Sequence, residues 1–199
     1  MGPSEKAQTV NCATLNGGSS AATHDRLDMW VVLAYRVPGQ PTRLRGTVRR
    51  RIQALGAVYL QQGVVALPNS PSGTAGLRDL QREIEDFGGI GHLLHCRAVA
   101  CRDALKKRYN QARDTEYLCI VEGCHRLATR IHEESEQVAG IARGRYERTL
   151  VPLSDRLAAI QSRDVFDAPG RKLASDAMAE CREALRTAMA LERHAGDPR

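Results

Sequence analysis

Acidic residues are missing from a whole stretch of this chain: between Met29 and Arg78 there is no Asp or Glu, while seven arginines fall in the same span. Aromatic residues are scarce at 4%, so aliphatic and alanine contacts must carry most of the packing. No window approaches the roughly 20 continuous apolar residues of a membrane span. The first thirty residues also lack the apolar core of a secretion signal. We therefore expect no membrane partner and a cytoplasmic location. The six cysteines, at 12, 96, 101, 119, 124 and 181, include no Cys-x-x-Cys pair, which argues against a disulfide scaffold or a structural zinc site and for reduced thiols. A Gly-rich phosphate loop and a Ser-His-Asp pattern are likewise missing, and no cofactor is expected.

What is present is positive charge. The 199 residues carry a net +6 with a pI near 9.2, which favours an anionic partner, most commonly nucleic acid. Residues 1–28 mix small and polar types without a helical or strand period, and read as a disordered tail. Trp30 to Val37 is a strand apolar on both parities, stopped by Pro38-Gly39-Gln40-Pro41. Thr42 is placed to cap a helix in which Leu44, Val48, Ile52 and Leu55 form one stripe, and Gly56 supplies a left-handed stop. Val58 to Gln61 and Val64 to Leu67 flank Gln62-Gly63 as a hairpin. A second helix from Thr74 puts Leu77, Leu80, Ile84 and Phe87 on one face and ends at Gly88-Gly89, before a strand at His92 to Val99. The order β-α-β-β-α-β predicts an α+β fold with a ferredoxin-like antiparallel sheet over 29–100.

From 101 to 195 the period is helical. Leu105, Tyr109 and Ala112, then Tyr117 to Ile131, predict one long helix, or two broken near Arg113-Asp114. Gly140 and Gly144 mark a loop. The next helix starts or bends at Pro152, and a last one opens at Asp167 and Pro169 with Leu173, Ala177, Cys181, Leu185, Ala188 and Leu191 inward. The expectation is a bundle of about three long helices packed on the sheet as one compact unit.

Two constellations stand out. Arg43, Arg45, Arg49, Arg50 and Arg51 share one helix with no acid at pairing distance along it. Guanidinium forks on a rigid element suit phosphate oxygens, and Arg36 lies near the end of the preceding strand. The alternative is a solvated face paired with Glu83, Glu85, Asp86 or acids near Glu133. Small ferredoxin-like nucleases place a metal-binding Asp at the end of the first strand. Here Tyr35-Arg36-Val37-Pro38 occupies that place, so no metal is expected. The second constellation joins Arg113, Asp114, Glu116 and Tyr117 with Arg163 and Asp164, which either line a polar cleft or fix turns. His92 and His95 differ by an odd number on a strand, so joint ligation is not expected. His125 and His132 read as a surface pair, and Cys119 and Cys124 as helix packing residues.

The run from Trp30 to Arg45, continuing through Leu55-Gly-Ala-Val-Tyr-Leu-Gln-Gln-Gly-Val, resembles the N-terminal domain of the chromate-resistance protein ChrB. Asp114-Thr-Glu-Tyr and Arg163-Asp-Val-Phe extend the likeness to Leu191. The resemblance implies a regulator that binds promoter DNA of a chromate-resistance operon. Longer members carry a second domain, associated with chromate sensing, that has no counterpart before Arg199, so the resemblance leaves chromate itself open as a ligand. The reading is a non-enzymatic DNA-binding regulator, with Arg36, Arg43, Arg45, Arg49, Arg50 and Arg51 on phosphates. Exposed sheet edges and two-fold DNA sites are compatible with a homodimer. The rival is an interaction module whose helical half binds a transporter or a separate sensing protein. A third reading is a chromate-handling enzyme acting through Cys119 or Cys124 beside Arg113 or Arg163.

Overall fold

Each apolar stripe read above needs a surface to bury it, and the computed structural model shows where those surfaces lie. It describes residues 29–39, 42–100, 102–135 and 143–195. The disordered tail expected over 1–28 and the loop expected at Gly140 lie outside the described residues. Strands β1 (Met29–Arg36), β2 (Val58–Gln61), β3 (Val64–Pro68) and β4 (Ile90–Arg97) alternate with helices α1 (Thr42–Leu55) and α2 (Pro71–Asp86). Helices α3 (Arg102–Ser135), α4 (Arg143–Arg163) and α5 (Gly170–Ala195) follow. The fold is α+β: a four-stranded antiparallel sheet in the order β2-β3-β1-β4, plus helices.

Val31 and Leu33 of β1 lie opposite Leu67 and Val65 of β3. Together with Leu44, Val48 and Ile52 of α1 and Leu77, Leu80 and Ile84 of α2 they form a buried core. The other face of the sheet is covered in part by the start of α3. Trp30 meets Tyr109 edge-on at 5.9 Å and Phe166 at 5.7 Å between ring centroids, contacts each worth about 0.5–1.5 kcal/mol beyond the area they bury. A second core holds Tyr117, Ile120, Cys124, Leu127 and Ile131 of α3 against Ile160 of α4 and Met178 and Cys181 of α5. α3 belongs to both cores and is one unbroken helix of 34 residues, with no break at Arg113-Asp114.

Several expectations are corrected. α2 starts at Pro71 rather than Thr74, because Ser70 caps it by accepting a 3.1 Å bond from the Gly73 amide and proline suits the first helical position. Phe87 is 54% exposed, since it is the residue at which α2 ends and so leaves the helical face. β4 begins at Ile90, two residues before the expected start, with Gly91 paired to Tyr35. Gly144 lies inside α4, which also runs through Pro152 rather than starting there. Leu173 is 56% exposed, and Ala174, Ala177, Met178, Cys181 and Leu185 are the buried positions of α5.

Gly56 ends α1 at φ +73°, and a Cβ there would lie 2.4 Å from Arg113 Nη1 and 2.5 Å from Arg163 Cδ. Gly56→Ala is expected to cost roughly 1–3 kcal/mol from the left-handed backbone alone, with more from the displaced guanidinium. Chemical denaturation of the variant checks this, and an unchanged midpoint would contradict it.

Candidate nucleic-acid interface

The apolar stripe of α1 faces the core, so its arginines are turned outward by the helical period. Arg43, Arg45, Arg49, Arg50 and Arg51 are all exposed, as is Arg36 at the end of β1. Among the described residues only Arg51 of this set is clasped by an acid, Glu83 of α2, at 3.5 Å. Arg50 Nη2 donates to Thr47 Oγ1 at 3.4 Å. Arg36, Arg43, Arg45, Arg49 and Arg50 have no ion pair among the described residues.

Arg36, Arg45 and Arg49 converge on an open cleft of about 860 Å³, bounded also by Tyr35, Tyr59 and Gln62. β1 supplies Tyr35 and Arg36, α1 the other two arginines, and the β2-β3 hairpin the far wall. Gly63, at φ +75°, makes the hairpin turn that brings this wall close, and its carbonyl accepts the Tyr35 amide at 2.7 Å. Burial, with a hydrogen bond to Tyr59, pushes the Tyr35 phenol well above its ordinary range, so it stays neutral. The cleft therefore combines three permanent cations with phenolic and amide donors, a chemistry suited to phosphate oxygens. Sequence reading found the arginines; it missed Tyr35, Tyr59 and Gln62 as neighbours, because their approach depends on β1 and β2 lying on either side of β3.

The second constellation comes together at the junction of the two cores. Arg113 is 2% exposed; its Nη1 donates to the Gly56 carbonyl at 2.9 Å and its Nη2 to Glu116 Oε1 at 3.2 Å. Its Nε lies 3.1 Å from Glu116 Oε2, close enough for an ion pair though not aligned as a hydrogen bond. Arg163 Nη2 donates to the same carboxylate at 2.8 Å. Tyr117 donates to Asp164 Oδ2 at 2.9 Å. The other Asp164 oxygen accepts the Ala168 amide, and Asp114 accepts the Gly170 amide at the start of α5. These groups are consumed by one another and by backbone, so they bind the two cores together.

Cys119 is exposed, while Cys124 and Cys181 are buried and hydrogen-bond to each other between α3 and α5. Burial, with the neighbouring thiol, pushes Cys181 from 9.0 up to about 11. His125 and His132 are exposed, as are His92 and His95. Among the described residues no group of three His, Cys, Asp or Glu side chains is placed to hold a metal ion. No helix among them is long and apolar enough to cross a membrane.

With this geometry in hand, a family model described as "Protein ChrB, N-terminal" matches residues 45–191, more than half of the chain. The chain belongs to the ChrB N-terminal family. Membership links it to chromate resistance. The match ends at Leu191, where the likeness read from the sequence also ends, and starts at Arg45 inside the arginine helix. No curated protein and no solved structure matches.

Two tests follow for this ChrB-family chain. Glu116→Gln should cost roughly 3 kcal/mol, because it leaves the buried Arg113 charge without its partner. Arg113→Met, which removes the buried charge itself, should cost less, and the reverse order in urea unfolding would contradict the network. Cys181 is protonated in the folded state beyond its unfolded value. Its contribution is therefore complete below pH 9 and lost as pH rises toward about 11; Cys181→Ala should flatten the loss of stability in that window.

Proposed function

We propose that this chain is a non-enzymatic DNA-binding regulator associated with chromate resistance, and that α1 and the adjoining cleft contact phosphates. The observation that carries the reading is the exposed guanidinium set Arg43, Arg45, Arg49 and Arg50, which has no ion pair among the described residues. Arg36 adds to it at the cleft wall. Cations left without counter-charges on a rigid element gain most from a polyanion, through release of its condensed counterions. Phosphate contacts of this kind position a protein on a duplex without selecting sequence. Thiol chemistry is disfavoured as an alternative. Cys124 is buried in the helical core and Cys119 faces solvent, whereas Arg113 and Arg163 are engaged with Glu116.

A second reading, an interaction module whose helical half binds another protein, is favoured by an open groove between α3 and α4. It uses other residues and is compatible with the first.

Replacing Arg45, Arg49 and Arg50 together by Ala should weaken binding to upstream DNA of the chain's own gene. The slope of log affinity against log salt should fall by up to about 0.9 for each lost contact. Fluorescence anisotropy over a salt series measures both, and an unaltered slope would remove α1 from the interface.

A further inference from the structure

We infer that the groove between α3 and α4 is a docking site for an acidic amphipathic helix of a partner protein. The two helices approach closely where Gly123 faces Leu153: a Cβ on Gly123 would lie 2.8 Å from Leu153 Cδ2. Around that crossing is an open groove of about 560 Å³ with Leu127, Pro152 and Leu153 among its lining. Arg126 and Arg130 of α3 and Arg148 and Arg156 of α4 are its cations. On α4 the two arginines are separated by about 12 Å along the axis, two helical turns.

Three of these arginines, Arg126, Arg148 and Arg156, are poorly compensated from within. Arg126 shares its charge with Glu122 at 3.8 Å, between side chains 71% and 55% exposed, a pairing that contributes little. Arg148 and Arg156 are exposed and have no ion pair among the described residues. Pro152 adds an acceptor. Lacking an amide hydrogen, it leaves the Arg148 carbonyl without the donor an uninterrupted helix would supply.

Guanidinium groups beside an apolar strip select an occupant that is apolar along its middle and anionic at its flanks. A phosphodiester strand answers the arginines and buries nothing against Pro152 and Leu153. An uncharged apolar helix does the opposite. A helix with leucine-type residues on one face, flanked by glutamates, satisfies both, and arginine is the charged residue best suited to such contacts. The inference does not rest on the DNA-binding reading, whose arginines belong to α1.

The test is fluorescence anisotropy of the full chain with a labelled peptide of about five helical turns, in which leucines recur at steps of three and four between rows of glutamates. Saturable binding is expected, weakened at least about tenfold by Arg148→Glu with Arg156→Glu. The Arg45→Ala, Arg49→Ala, Arg50→Ala variant should bind the peptide unchanged. A peptide of equal composition with its leucines dispersed around the helix should bind at least about tenfold more weakly. Both groove arginines are exposed, and circular dichroism verifies that the double variant is folded. Equal binding of the two peptides, or no response to the double variant, overturns the inference. So does a DNA duplex that displaces the peptide and itself loses affinity in the double variant, because the groove would then be a nucleic-acid surface.

Discussion

The Glu116 carboxylate holds two guanidinium groups from different parts of the chain, and the architecture turns on that arrangement. Arg113 lies one turn before it on α3, and Arg163 comes from the end of α4. Arg113 also reaches the carbonyl of Gly56, where α1 ends. One carboxylate, with the two guanidinium groups it holds, thus ties the sheet unit, through α1, to α3 and α4. Burying Arg113 is tolerable because its two Nη groups are hydrogen-bonded and its charge lies against the Glu116 carboxylate, since an uncompensated charge at that depth would cost several kcal/mol. Glycine at 56 is required twice over, by its positive φ and by the guanidinium pressed against the place a Cβ would occupy.

From that junction the rest follows mechanically. α3 is continuous across it, so the sheet core and the helical core share one rod, and the aromatic trio Trp30, Tyr109 and Phe166 closes the sheet side of the seam. Asp114 and Asp164, on either flank of the junction, spend their carboxylates on the amides of Gly170 and Ala168. They fix where α5 starts. The arginines of α1 are presented from a frame whose buried charges are paired with one another.

How far the sequence disclosed this depends on the range of the interaction concerned. The stripe Leu44, Val48 and Ile52 was legible because a helix repeats every three to four residues, and its burial fixes where the arginines point. The hairpin at Gln62-Gly63 was legible from its spacing. Gly56 was readable as a helix stop, but its contact with Arg113 and Arg163 was not, because partners more than fifty residues apart leave no local pattern. Glu116 was readable as part of a polar cluster with Arg113 and Arg163, but not as the one carboxylate that holds both guanidinium groups. Leu173 misled for a different reason: hydrophobicity favoured it, whereas the packed face of α5 uses alanines at 174 and 177. Pro71 misled because proline reads as a breaker, although it is at home in a first turn; at Pro152, where a start and a bend were both open, the helix continues.

The distribution of carboxylates separates frame from function. In the helical half, Asp114, Glu116 and Asp164 each answer a specific donor in the frame, and Asp167 and Asp176 hold Arg171 and Lys172 in i, i+4 pairs. In the span from Met29 to Arg78 there are no acids to do this, and among the described residues the one acid paired with α1, Glu83, engages Arg51, at one end of the cluster. If positive charge there served solubility alone, interspersed acids would serve as well and would cost the fold less repulsion. Leaving like charges together at the mouth of a cleft is unfavourable for the isolated molecule, and the penalty is relieved when an anion enters. That asymmetry, with structural charges matched internally and the α1 charges unmatched among the described residues, is the physical reason to look for a partner at α1.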